Sequence, residues 1–290
     1  MIKTEKILSS WWKRIIFFSL LTSIIYLITD YLMTNYFFGI IYFYYNLTFS
    51  LFFAVLISSI LTERLRYNKH LFTFGLSFTN RTIIDIFHGL LLVIIPFSLL
   101  TLFINYFYFN EISCSLIHHE FMYFTLFILI ASAFEELLFR GVIFQALLEK
   151  LGIGITLLIS SLIFSSVHLF NNHFNLIAFI NTFLAGMVLG LMYIQTKSLY
   201  LPISYHFFWN YLQELILNSN ISGNSFEFSI FTQDFSSLPI LFFGGSYGIE
   251  GGLVATLLLI ITGIIVLLLA KPSPYITSKL LKRKIFESIL

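Results

Sequence analysis

Apolar stretches of about 20 residues recur along almost the whole chain, and a stretch of that length is what a helix needs to cross a bilayer. Eight are read, at about 15–34, 38–61, 83–107, 121–139, 153–170, 176–195, 199–217 and 252–270. Backbone immersed in hydrocarbon must satisfy its own hydrogen bonds, so such stretches become helices. The expected fold is therefore all-α, a polytopic membrane bundle of about eight transmembrane helices forming a single integral-membrane domain over 1–290. Composition agrees. Charged residues are 10% of the 290 and hydrophobic ones 58%, against about 25% charged in an average soluble domain. That balance leaves no charged surface for a soluble enzyme or for nucleic acid, and makes the lipid bilayer the first partner.

The basic residues set the orientation, because Lys and Arg collect in cytoplasmic loops. Lys3, Lys6, Lys13 and Arg14 precede the first stretch, and Arg64, Arg66, Lys69 and Arg81 lie around the second connection. Arg140, Lys150 and Lys197 mark two further alternate connections, and Lys271, Lys279, Lys282, Arg283 and Lys284 follow the last stretch. These are all 16 Lys and Arg residues. The connections near 108–120, 171–175 and 218–251 carry Glu111, Glu120, Glu227, Asp234 and Glu250 instead. The expectation is a multi-pass plasma-membrane protein with N- and C-termini cytoplasmic. Trp11 and Trp12 read as interfacial anchors of a retained first helix, and Pro272 and Pro274 as the end of the last. Gly244, Gly245, Gly248, Gly251 and Gly252 predict tight turns or a close-packed re-entry. The single cysteine, Cys114, excludes an intrachain disulfide.

Ionisable groups inside such stretches are expensive and mark function or tight pairing. The fourth stretch holds Glu135, Glu136 and Arg140. Glu136 and Arg140 stand at (i, i+4), acid first, the spacing and order of a helical ion pair. Glu135 is rotated about 100° away and has no such partner. Phe164 and His168 are one turn apart in the fifth stretch. His206 and Asn210 are one turn apart in the seventh, with Gln213 and Glu214 continuing the polar run. A desolvated carboxylate beside an imidazole can activate water, and a His–Asn pair offers two donors to an oxyanion. Those are the parts needed to hydrolyse an amide.

The motifs Glu135-Glu136-x-x-x-Arg140, Phe164-x-x-x-His168 and His206-x-x-x-Asn210 resemble the three signatures of the CAAX prenyl protease and bacteriocin-processing family, also called Abi or CPBP. The resemblance covers about 121–217, a family-like catalytic core. It implies an eight-helix intramembrane endopeptidase in which Glu135 and His168 activate water and His206 and Asn210 hold the oxyanion. Glu136, Arg140 and Phe164 would support them. No cofactor is required by this reading; a zinc ion on Glu135, His168 and His206 is the metal-dependent version of it. The implied substrate is a membrane-associated peptide or membrane protein, such as a leader or bacteriocin-like peptide, reached from the cytoplasm. The Phe-, Ile-, Tyr- and Asn-rich composition fits an A·T-rich genome, and a bacterial source would set prenylated substrates aside. A non-catalytic bacteriocin self-immunity or membrane scaffold protein of the same fold is the alternative, and a proton-relay transporter the third reading.

Other polar groups receive plainer expectations. Asp85 with His88 reads as a solvated pair, His118, His119 and Glu120 as a solvated loop, Glu214 as interfacial, and Asp30 and Glu63 as helix-end residues. One mismatch stands out. His168 falls about 15 residues along its stretch and His206 about seven along its own, an axial difference of about 12 Å at 1.5 Å per residue.

Overall fold

The computed structural model describes residues 8, 10–37, 43–67, 74–109, 121–226, 228–230 and 238–269. They form α1 (Trp11–Leu32), α2 (Phe43–Tyr67), α3 (Thr82–Ile104), α4 (Phe121–Arg140) and α5 (Val142–Leu151), followed by α6 (Ile153–Val167) and α7 (Leu176–Thr196). The described residues continue with α8 (Tyr200–Leu217), the one-turn α9 (Ile240–Phe243) and α10 (Leu253–Leu269). Short 3₁₀ turns cover His168–Phe170, Gly245–Tyr247 and Ile249–Gly251. The described fold is all-helical, with one isolated bridge between Ile221 and Asn224.

Five helical runs are long and apolar enough to cross a membrane: Trp11–Tyr36, Tyr45–Arg66, Thr82–Tyr108, Phe121–Phe170 and Leu176–Thr196. Leu253–Leu269 is a shorter apolar helix. Large apolar side chains face outward along these runs, among them Leu27, Leu99 and Leu268. With the apolar helices, they make this a multi-pass integral membrane protein.

One helix was not foreseen. The chain between the fourth and fifth stretches is not a loop but α5. At Gly141 a Cβ would lie 2.2 Å from the Leu137 carbonyl oxygen, so only glycine allows the bend that ends α4 there. Gly152, at φ 77°, turns the chain again into α6.

Helices associate through small residues, as expected where hydrophobic burial cannot drive contact. Gly89 of α3 lets Ser204 of α8 approach, and the Ser204 Oγ donates to the Ile86 carbonyl at 2.7 Å. Gly186 of α7 meets Ser161 of α6, where a Cβ would stand 2.9 Å from the Ser161 Cα. Phe97, Met192 and Trp209 lie in the core shared by α3, α7, α8 and α10.

The connections gather at two ends. At the first, Leu199 N donates to the Gly75 carbonyl at 2.8 Å and Gln145 Nε2 to the Phe74 carbonyl at 2.8 Å. There Glu149 of α5 receives Arg14 at 3.3 Å and Arg66 at 2.8 Å. At the second, Asn220 Nδ2 donates to the Ser246 carbonyl at 2.9 Å, and Gly223 N to the Tyr247 carbonyl at 2.8 Å. Gly244, Gly245 and Gly248 all have positive φ in this second end, which is the close-packed turn that the glycines predict. At Gly248 a Cβ would collide with the Asn220 carbonyl oxygen.

Three polar expectations are corrected. Glu63 is not a plain helix-end residue but is buried, 3.9 Å from a buried Arg14. Asp85 is buried and paired with Arg81 at 3.4 Å, while its expected partner His88 is exposed. Glu214 is buried too, accepting from Phe228 N at 3.0 Å. Helix packing brought each of these acids under a neighbouring segment that its own sequence position did not reveal. His118, His119, Glu120, Cys114, Pro272 and Pro274 lie outside the described residues.

Candidate active site

Glu135 and Glu136 sit one turn before the end of α4, and the wheel separates them as their spacing predicts. Glu136 is fully buried, with Oε1 3.0 Å from Nη1 of an equally buried Arg140. Arg140 Nη2 donates onward to the Gly186 carbonyl at 3.2 Å. Glu135 instead keeps 27% of its side chain exposed. Its Oε2 is nonetheless a buried atom without a hydrogen-bond partner.

His206 of α8 adds a contact that local spacing cannot show. Its Nδ1 lies 2.9 Å from the same Glu136 Oε1 that Arg140 holds, and its Nε2 lies 3.9 Å from Glu135 Oε2. A carboxylate held by a guanidinium only accepts, so Nδ1 carries the proton. Glu136 is thus not merely half of an ion pair; it orients the imidazole.

His168 caps the end of α6. Its Nδ1 is 2.8 Å from the Phe164 carbonyl oxygen. A carbonyl can only accept, so Nδ1–H donates and the neutral ring presents an unprotonated Nε2. The Phe164 ring is buried among the site groups, with centroids 4.9 Å from His168, 6.3 Å from His206 and 5.1 Å from Phe139. The Arg140 guanidinium lies over its face at 4.4 Å, a cation–π contact.

The depth mismatch is roughly halved. Ser160 Oγ donates to the Phe139 carbonyl at 3.3 Å, which sets α6 against α4. One turn outward, by about 6 Å, Phe164 is level with Glu135, and His168 stands about one turn beyond. His206 is held at the level of Glu136, and Asn210 is again about one turn beyond. The site is therefore two-tiered, Glu135 with His206 and His168 with Asn210. The physical reason is α5, which lets the first residues of α6 run past the end of α4.

All four residues line one cavity of about 550 Å³. Phe164, Asn171, Asn181, Thr182, Ser222, Asn224 and Glu250 line it as well. Among the described residues no three His, Cys, Asp or Glu side chains group closely enough to hold a metal ion, so Glu135, His168 and His206 do not form a three-ligand set. Residues 117–212 match the Type II CAAX prenyl endopeptidase Rce1-like family. This is the protease family that the three motifs resemble, and the Rce1-like segment contains every motif residue from Glu135 to Asn210. No curated protein and no solved structure matches the chain.

Part of the cavity lies outside the Rce1-like segment. Asn181 Nδ2 donates to the carbonyls of Glu250 at 2.7 Å and Gly252 at 2.9 Å, and its Oδ1 accepts from Thr256 Oγ1 at 2.6 Å. Ser222 donates to Glu250 Oε2 from N at 2.9 Å and from Oγ at 2.7 Å. Nearby, burial and the Glu250 charge push the Tyr247 hydroxyl up to about 12, so it stays protonated at neutral pH. A polar Asn181 in the middle of an apolar helix was the signal for this wall; Glu250, in a glycine-rich turn, gave none.

Proposed function

We propose that the chain is an intramembrane endopeptidase that hydrolyses peptide bonds of membrane-associated peptides or proteins. The observation that carries this reading is the convergence of Glu135, His168, His206 and Asn210 on one cavity. Water held between Glu135 Oε2 and the bare His168 Nε2 loses its proton as it attacks the scissile carbonyl, and Glu135 returns that proton to the leaving amine. Two carboxylates against one guanidinium leave one negative charge in the cluster. An imidazolium at His206 cancels it and lets Nε2–H join the Asn210 amide in facing the oxyanion.

The reading extends to eight crossings with both termini cytoplasmic, since the basic connections share one end of the bundle. The cavity is walled by Asn171, Ser222, Asn224 and Glu250 at the other end, and by none of the described residues in the basic connections. This supports access from the non-cytoplasmic face over the cytoplasmic access expected from sequence.

The test is mass spectrometry of membrane peptides from cells carrying the wild-type chain or Glu135→Gln. The expected result is a set of cleavage products missing from the variant. Identical peptide spectra from equal amounts of inserted protein would overturn the protease reading and leave the non-catalytic immunity or scaffold role.

A further inference from the structure

The charge of the cavity is one-sided. Its described lining includes the carboxylates of Glu135 and Glu250, two histidines and several amides, but no Lys or Arg. Arg140 stands behind Glu136, fully buried and committed to Glu136 and the Gly186 carbonyl. Glu250 is held in place from both sides. Its backbone carbonyl receives Asn181, and its Oε2 receives both donors of Ser222. No described residue donates to its Oε1.

A free carboxyl terminus entering beside Glu250 meets like charge and no Lys or Arg, and the His206 imidazolium is already balanced by Glu135 and Glu136. That is unfavourable in a poorly solvated space. A guanidinium or ammonium group meets a carboxylate already oriented for a charge-assisted hydrogen bond. Resting on the protease reading above, we propose that Glu250 forms a subsite for a Lys or Arg side chain of the substrate. The substrate class is then a basic peptide segment cut internally, not a chain trimmed beside its free carboxyl terminus. Glu250 lies outside residues 117–212, so the subsite is a feature of this chain beyond the family match.

The experiment uses the full chain in phosphatidylcholine liposomes, whose neutral surface does not concentrate cationic peptides. The probes are apolar peptides, acetylated and amidated at their ends, with Lys, Gln or Glu scanned through each position. At one position, Lys peptides are expected to be cut about tenfold faster than Gln peptides, a step of one decade in discrimination. In Glu250→Gln, whose amide oxygen can still accept from Ser222, that ratio falls towards one. In Glu250→Lys the preference passes to Glu peptides.

Absence of any Lys preference in the wild-type chain overturns the subsite without reliance on a variant. So does an unchanged ratio in Glu250→Gln. A second measurement separates the two readings: fluorescence anisotropy of the labelled peptides on Glu135→Gln. If the wild-type chain cuts no peptide but Glu135→Gln shows a Lys preference in binding that the added Glu250→Gln change removes, the protease reading fails and the subsite stands. Binding without that preference removes the subsite.

Discussion

His206 Nδ1 lies 2.9 Å from Oε1 of Glu136, the oxygen that Arg140 Nη1 reaches at 3.0 Å. One buried carboxylate oxygen thus ties α4 to α8 and fixes which face of the imidazole ring meets the cavity. Arg140→Leu leaves Glu136 buried without its guanidinium, and breaking a buried pair in this way costs about 3–5 kcal/mol. Thermal unfolding in detergent should show a clear fall for this variant. Arg140→Lys should recover only part of it, because one ammonium does not reproduce the planar contacts to Glu136 and the Gly186 carbonyl.

Glu135 is expected to behave differently from its neighbour. Its buried oxygen bonds to nothing and its side chain reaches the cavity, so Glu135→Gln should leave the unfolding midpoint where it is. Cleavage should drop by about 10²-fold or more, the scale of a lost general base. His168→Ala should show the same split between stability and rate. A Glu135→Gln protein that folds and cuts at the wild-type rate removes this mechanism.

Gly186 sets the distance between α6 and α7 beneath the site. Gly186→Leu forces its side chain against the Ser161 backbone, at a typical overpacking cost of about 1–3 kcal/mol. It should also displace the carbonyl that holds Arg140, so cleavage falls along with the unfolding temperature. Gly154→Ala is the control, because a Cβ there has no neighbour within 4 Å. Both properties should stay near wild type.

The side of access can be read with thiol labelling. In a Cys114→Ser background, Asn172→Cys lies on an exposed turn at the cavity end, and Asn80→Cys on an exposed turn at the basic end. A membrane-impermeant maleimide applied to intact cells should label the first and reach the second only after permeabilisation. The opposite result would return the site to the cytoplasmic face.

Water activation by Glu135 and His168 predicts that cleavage survives a strong zinc chelator. Loss of activity on chelation, restored by added zinc, would favour the metal-dependent version instead. The measurement is the rate on one peptide before and after dialysis against the chelator.

Much of this was legible in local spacing. Hydropathy over windows of about 20 residues located the helices because lipid forces any crossing backbone to close its own hydrogen bonds. The (i, i+4) rule placed Glu136 on Arg140 because both ends of that contact belong to one helix. The same rule also joins Arg81 to Asp85, the pair that forms in place of Asp85 with His88, but it is silent about the burial of Asp85, which a neighbouring helix decides.

Sequence alone therefore determined the all-helical class, the pairing within α4 and the polar residues that needed explaining. Tertiary structure alone decided that His206 shares an oxygen with Arg140, that Arg14 is buried facing Glu63, and that Glu250 walls the cavity. It also decided the depth of His168, because the unforeseen α5 shifts α6 along α4. The reason is range. Periodicity records how a residue sits on its own helix, whereas the catalytic arrangement depends on the axial register between helices. That register is set by contacts such as Gly186 against Ser161 and Ser160 on Phe139, between residues far apart in the chain.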